Sequence, residues 1–189
     1  MPCGGSVDDP NEILREEHEA IELLLTAMDG IADRIRKKDH VPEGDLEKAF
    51  TVVSEFADKC HHAKEEKVLF PVLSKASKEG AEIARRLTSD HVAFRHLVGN
   101  TRALVPKARE DKVARSHLVK NLDTYTHLLR EHIAIETSDL FREVERAIPP
   151  EAREELAEAF ERVEREEIGA GVHEKYHAMI HGLAHAYAP

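Results

Sequence analysis

Four long segments of this chain repeat apolar residues at every third or fourth position, which is the spacing of one face of an α-helix. They cover about residues 10–38, 45–70, 80–105 and 111–147, and turn-forming prolines and glycines separate them. Pro71 is expected to kink or end the second helix. Four such helices with short connections bury their apolar faces against one another, so we predict an all-α fold, an up-down-up-down four-helix bundle.

The two ends of the chain are expected to lie outside the bundle. Residues 1–9 are predicted to be a flexible N-terminus, because glycine and serine are concentrated there. The bundle is predicted over residues 10–148, since the pair Pro149–Pro150 ends the fourth helix. Residues 149–189 are predicted to form a C-terminal appendage of one or two short helices, interrupted near Gly169.

Composition and charge argue against several classes of function. The net charge of −10 provides no basic face, so no nucleic-acid partner is expected. No segment approaches the ~20 apolar residues that cross a bilayer, and the N-terminus does not resemble a signal peptide. We therefore expect a cytoplasmic protein without a membrane partner. Cys3 and Cys60 are too few for a disulfide framework, and Cys60 is interpreted as a buried, inert thiol rather than a redox sensor.

Histidine is the unusual feature of the composition, with 13 residues. Each of the four helices places a histidine on its apolar stripe, and the second and fourth add a glutamate four residues later on the same face. Burying six ionisable groups together is costly unless they are paired or bind metal. Imidazoles and carboxylates in this number suit a pair of metal ions. The candidate metal ligands are His18, His62, Glu66, His91, His132 and Glu136.

The choice of ligands on the second helix depends on its helical register. At about 100° per residue, His62 and Glu66 border the apolar arc, whereas His61 points about 100° away, toward Glu65. We therefore expect His62 rather than His61 to bind metal. Glu17 and Glu65 are expected to be solvated.

The spacing of the six candidate ligands resembles that of the hemerythrin-like family, also called the HHE cation-binding domain. The segment 61–71, His-His-Ala-Lys-Glu-Glu-Lys-Val-Leu-Phe-Pro, is similar to that family's second-helix signature. The resemblance covers about residues 10–147. It implies a non-haem centre of two Fe ions with an oxo or hydroxo bridge, with Zn or Mn as alternative metals. By that likeness the two irons are bound by His18 with His62 and by His91 with His132, and are bridged by Glu66 and Glu136.

One position departs from the oxygen-carrying members of that family. They have a second histidine one turn after the third-helix ligand, whereas this chain has Arg95 there, and His96 is expected to face elsewhere. The resemblance therefore implies a centre of four histidines and two glutamates with an open coordination position, which disfavours simple reversible oxygen carriage. Arg95 is expected either to pair with a carboxylate ligand or to extend into solvent.

These features predict a metal-binding protein whose di-iron centre binds or reacts with O2, NO or peroxide, in sensing, iron handling or the oxidative-stress response. Its expected partner is therefore a small diatomic or peroxide ligand. The alternative is a di-iron enzyme with catalase-like or peroxidase activity. A structural zinc domain is disfavoured, because structural zinc sites prefer closed Cys/His tetrahedra. The sequence leaves the oligomeric state and the choice between sensor and enzyme open.

Two further histidine and tyrosine patterns have alternative interpretations. Tyr125 shares a face with His132 and is expected to pack in the core, the alternative being a hydroxyl that supports or joins the metal site. A ladder of histidines at four-residue steps near the C-terminus is interpreted as a polar stripe rather than a second metal site. Its members are His173, His177, His181 and His185.

Overall fold

The computed structural model describes residues 9–38, 40–167, 169 and 172–187. Within those ranges the protein is helical and has no β-strand, which confirms the predicted all-α class. No helix in the described part of the chain is long and apolar enough to span a membrane. The α-helices are α1 (Pro10–Lys38), α2 (Glu43–Val52), α3 (Phe70–Ala76), α4 (Lys78–Arg102), α5 (Val105–Ala108), α6 (Lys112–Ile135), α7 (Phe141–Ala147), α8 (Pro150–Glu167) and α9 (Val172–Tyr187).

Three π-helical segments connect some of these helices without a break. They are Val53–His62 and Glu65–Leu69 between α2 and α3, and Glu136–Leu140 between α6 and α7. In each case a backbone N–H donates to the carbonyl five residues earlier, as from Phe70 to Glu65 and from Phe141 to Glu136. A π-turn holds more residues than an α-turn, so side chains after it no longer follow the 100° step of an α-helix.

The second helix was predicted to kink or end at Pro71, and the prediction that it ends there is wrong. The chain stays helical from Glu43 through Pro71 to Ala76. Pro71 directly follows the π-type hydrogen bond from Phe70 N–H to Glu65, and the helix continues across the proline into α3. The next helix, α4, starts after Ser77, whose hydroxyl accepts a hydrogen bond from the Gly80 N–H at 2.8 Å.

Buried apolar side chains form two clusters that occupy different lengths of the long helices. The first cluster joins α1, α2, α6 and α9, and the second joins the N-terminal end of α1 with α3, α4, α7 and α8. The first cluster is built around Leu24, Ile31, Phe50, Phe56, Leu122 and Ile180. The second is built around Leu14, Leu69, Leu87, Phe141 and Phe160. On each long helix a buried polar side chain lies between the residues of one cluster and those of the other.

Candidate metal centre

Six ionisable side chains converge in the layer between the two apolar clusters. None of them is more than 5% exposed. They come from α1, from the π-helical part of the second long helix, from α4, and from the junction of α6 with its π-segment. The six residues are His18, His61, Glu65, His91, His132 and Glu136.

One half of the centre is formed by a pair of histidines from the first two long helices. The Nε2 atoms of His18 and His61 are 3.1 Å apart. Glu136 Oε2 lies 3.0 Å from His18 Nε2, and Glu65 Oε1 lies 3.9 Å from His61 Nε2. Two imidazoles and two carboxylate oxygens therefore face the same small volume.

The other half repeats this arrangement with the remaining histidines. The Nε2 atoms of His91 and His132 are 3.0 Å apart. Glu136 Oε1 lies 2.8 Å from His132 Nε2, and Glu65 Oε2 lies 3.4 Å from His91 Nε2. Each carboxylate thus directs one oxygen to one histidine pair and its other oxygen to the second pair.

This arrangement fits cations better than hydrogen bonds. His61 Nδ1 is 2.9 Å from Glu17, and His91 Nδ1 is 2.7 Å from Glu66. A carboxylate accepts, so each Nδ1 donates and each Nε2 presents a lone pair. The lone pairs of His61 and His91 therefore face a second imidazole nitrogen, 3.1 and 3.0 Å away, where they can accept a proton or bind a metal ion. In addition, both oxygens of Glu65 and of Glu136 are buried without a well-directed hydrogen-bond donor, which is costly unless a cation binds them.

The two central carboxylates differ in the direction of their pKa shifts. Burial raises the pKa of Glu65 well above its ordinary value, and the adjacent Glu136 carboxylate raises it further. Burial alone would also raise the pKa of Glu136, but the neighbouring imidazoles of His132 and His18 outweigh it and hold that pKa well below the usual range. The two pKa values shift in opposite directions because neighbouring buried carboxylates repel each other, while the imidazoles favour the negative charge on Glu136.

The structure brings together four of the residues predicted from the sequence and places the other two differently. His18, His91, His132 and Glu136 lie in the cluster. Glu66 lies outside the cluster, and its carboxylate accepts a hydrogen bond from His91 Nδ1. His62 is buried beside the second half of the centre, where it forms a candidate group with His91 and His132.

The expectations for the neighbouring residues of the second helix are wrong. His61 is 1% exposed and faces the core, and Glu65 is fully buried rather than solvated. Glu17, also expected to be solvated, is 2% exposed. The sequence expectation assumed a step of 100° per residue, which does not hold in the π-helical segment Val53–His62, because a π-turn accommodates more residues than an α-turn.

The sequence contains a signal that identifies His61 and Glu65. The pairs Leu69–Phe70 and Leu140–Phe141 are 71 positions apart. Shifting the second helix by the same 71 positions places His61 on His132 and Glu65 on Glu136, whereas His62 matches a hydrophobic isoleucine. The buried Leu-Phe pair fixes the register better than helical phase does, because it does not assume α-helical geometry.

Glu17 connects the first half of the centre to α8. Its carboxylate accepts hydrogen bonds from His61 and from the buried Lys64, and Lys64 also pairs with Glu164 at 2.9 Å. Burial would raise the pKa of Glu17, but these partners lower it to about 2. Cys60 is fully buried and free, and burial raises the pKa of its thiol to about 12. A thiol of this kind is unreactive, in agreement with its interpretation from the sequence.

Arg95 forms ion pairs with two carboxylates that lie beside the second half of the centre. Its guanidinium lies 2.7 Å from Asp58 and 2.9 Å from Glu66, and its side chain is 38% exposed. Burial would raise the pKa of Asp58, but hydrogen bonds with His62 and Arg95 outweigh it and lower that pKa to about 2. Arg95 therefore pairs with carboxylates, as one of the two sequence interpretations held, while His96 is exposed.

Two openings adjoin the centre. A cleft of about 570 Å³ has His18 in its lining, together with Arg15 and Thr137. A much smaller cavity of about 30 Å³, enough for one water-sized molecule, is lined on the other side by His62 and Tyr125. Tyr125 is buried in edge-to-face contact with Phe94, at 6.0 Å between ring centroids, which agrees with its interpretation as core packing.

The C-terminal histidine ladder does not join a metal cluster within the described residues. His177 packs edge-on against Phe56 at 5.4 Å between ring centroids. His181 and His185 are exposed. The side chain of His173, like Cys3, lies outside the described residues.

Comparison with known proteins identifies the domain. A model of the hemerythrin HHE cation-binding domain matches residues 9–144. The chain belongs to this family. The expected resemblance is thereby confirmed, and cation binding is consistent with the clustered histidines and glutamates.

Three mycobacterial relatives of this HHE protein bear the description uncharacterized protein. One from Mycobacterium bovis and two from strains of Mycobacterium tuberculosis are each 26% identical over 164 residues, which is 86% of this chain. The match covers 64% of the length of each relative, so this chain spans less than two thirds of the proteins it resembles. No solved structure matches it.

Proposed function

We propose that this HHE protein binds two iron ions in a non-haem centre that binds or reacts with O2, NO or peroxide. The observation that supports this most strongly is the division of the Glu65 and Glu136 oxygens between two histidine pairs. One ion would be held by His18 and His61 and the other by His91 and His132, with both carboxylates bridging. Imidazole and carboxylate donors suit iron, and a bound pair of irons would supply redox chemistry and open coordination positions.

The fold that supports this centre is proposed to be an up-down-up-down four-helix bundle. Along α1 and α4, second-cluster residues precede the ligand and first-cluster residues follow it. Along the second long helix and α6–α7, the order is reversed. This alternation is what antiparallel neighbours require.

The residues around the centre would hold its ligands in one orientation. Glu17 and Glu66 accept the Nδ1 protons of His61 and His91, so the Nε2 atoms remain available as donors. The two apolar clusters exclude water on both sides. The cleft beside His18 is the larger opening and therefore the proposed route for a small ligand.

Metal analysis of the protein reconstituted anaerobically with ferrous iron tests the proposal. We expect about two irons per chain and a His61→Ala variant that binds fewer, whereas exposed His96→Ala binds the same number. A consistent value of one iron, or binding of zinc alone, would refute the di-iron proposal. Rapid mixing with O2, NO or peroxide then separates the functions. Sustained oxygen release from peroxide would indicate the catalase-like alternative, and a stable, reversible adduct would indicate a binding or sensing role.

A further inference from the structure

Lys64 is a buried cation that lies beside the six-residue centre without belonging to it. Its side chain is 1% exposed, and lysine is almost never buried to this extent unless it is paired. Its ammonium donates to Glu17 of α1 and, at 2.9 Å, to Glu164 of α8. Two adjacent carboxylates favour the charged form of a lysine, so the protein holds a positive charge in its interior here.

The Glu17 carboxylate connects this cation to a proposed iron ligand. One of its oxygens accepts from Lys64, and the other lies 2.9 Å from His61 Nδ1. A carboxylate that accepts the Nδ1 proton makes an imidazole a stronger donor to a metal at Nε2. An ammonium on the same carboxylate draws its negative charge toward itself, so Lys64 weakens the effect of Glu17 on His61.

The second half of the centre has the same order of groups, but close to solvent. His91 Nδ1 lies 2.7 Å from Glu66, and Glu66 pairs with Arg95 at 2.9 Å. The Arg95 side chain is 38% exposed, whereas that of Lys64 is 1% exposed. A charge acts more strongly through buried surroundings than through water, so Lys64 should affect its half of the centre more than Arg95 affects the other.

Glu164 links this arrangement to a helix outside the matched domain. The HHE family model matches residues 9–144, whereas α8 covers Pro150–Glu167. Leu156 and Phe160 of α8 are buried in the second apolar cluster. This packing holds α8 against the domain and so keeps Glu164 beside Lys64.

We propose that Lys64 is a positioning residue that raises the reduction potential of the iron held by His18 and His61, and that Glu164 of α8 limits this effect. The inference rests on the proposed di-iron centre. Lys64 makes His61 a weaker donor and adds a nearby positive charge, and both effects favour Fe(II) over Fe(III). Glu164 shares the ammonium with Glu17 and therefore acts in the opposite direction.

A redox titration of the iron-loaded full chain tests this assignment, with an electrode supplying the electron of Fe(III) + e⁻ → Fe(II). Lys64→Met should increase the ferric-to-ferrous ratio at a fixed potential by about tenfold, because Glu17 then acts on His61 without a competing cation. Glu164→Gln should decrease that ratio by about threefold. This change is smaller because the Glu164 side chain is 33% exposed and its charge is partly screened.

The opposite signs of these two shifts separate electrostatic positioning from a purely structural role. Lys67→Met and Glu166→Gln are exposed controls with the same changes of charge, and each should alter the ratio by less than about twofold. If Lys64→Met and Glu164→Gln shift the ratio in the same direction, or no more than their controls do, the assignment is wrong and the two-metal centre stands. If the wild-type protein does not bind two irons, the centre itself is refuted.

Glu164→Gln decides the question if Lys64→Met does not fold, as judged by circular dichroism, because it leaves both Lys64 and Glu17 in place. In ¹⁵N spectra of the zinc-loaded protein, this substitution should move the Nδ1 resonance of His61 and leave that of His91 unchanged. An unmoved His61 resonance, together with a ferric-to-ferrous ratio equal to that of Glu166→Gln, overturns the proposal.

Discussion

Glu65 and Glu136 occupy equivalent places in the structure: each is fully buried, follows a histidine by four residues, and begins a π-helical segment that ends just before a buried phenylalanine. Glu65 lies beside His61 and His91, and Glu136 lies beside His18 and His132, so that the two glutamates together reach all four histidines. We therefore define the centre by this pair of equivalent glutamates rather than by helical phase. Glu66 does not share this place, because it lies outside the cluster and accepts a hydrogen bond from His91 Nδ1.

Glu65→Gln and Glu66→Gln form a matched pair of substitutions on adjacent residues. Glu65→Gln should lose at least one iron, because an amide cannot bridge two cations as a carboxylate does. Glu66→Gln should retain both irons with affinity reduced by about 10–100-fold, since it only removes the acid behind His91. Metal analysis and anaerobic iron titration distinguish the two. Equal loss of metal in both variants would contradict the proposed ligand set.

Glu17→Gln should weaken iron binding in the first half of the centre. The substitution replaces the carboxylate that accepts from His61 Nδ1 at 2.9 Å, so the expected loss of affinity is about 10–100-fold for one ion. Exposed Glu16→Gln on the same helix is the control and should bind iron as the wild type does. Competition with a chelator of known affinity measures the change, and an unaltered affinity for both ions would show that Glu17 does not orient His61.

Metal binding should release a proton from Glu65. Its pKa is raised in the metal-free protein, so it remains protonated at pH values where an ordinary glutamate is ionised. A metal ion requires the carboxylate, and apparent affinity should therefore increase with pH through that range and level off above the raised pKa. Calorimetry in buffers of different ionisation enthalpy counts the protons. Glu65→Gln should release fewer than the wild type, and an equal count would contradict the prediction.

Gly30→Ala should destabilise the contact between α1 and α9. A Cβ added at Gly30 would come within 2.9 Å of Tyr187 Cβ and closer still to the Tyr187 carbonyl oxygen. Overpacking of this kind costs about 1–3 kcal/mol of the free energy of unfolding. Gly99→Ala is the matched control, because nothing lies within 4 Å of its added Cβ, and it should be neutral or stabilise by up to about 1 kcal/mol. Denaturant unfolding of the three proteins measures the difference, and equal stabilities would contradict the close contact.

The helical class and most of the centre could be predicted from local sequence. The stripe positions of His18, His91 and His132 follow from regular α-helical spacing, because α1, α4 and α6 keep that geometry up to the ligand. Glu136 could be predicted for the same reason, since it follows directly on the end of α6. Periodicity is a reliable guide wherever the backbone has the period that it assumes.

The sequence by itself determined that four amphipathic helices carry buried histidines and glutamates, since the alternation of apolar and polar residues is a local property. Helical periodicity favoured His62 and Glu66 while the Leu-Phe register indicates His61 and Glu65, and only the tertiary structure decided which pair lies in the six-residue cluster. The choice depends on the π-helical backbone between Val53 and His62, whose extra residue per turn rotates the following side chains. Such a backbone is stabilised by the packing around it and by the ligands it positions, and neither is encoded in the helical period of the segment.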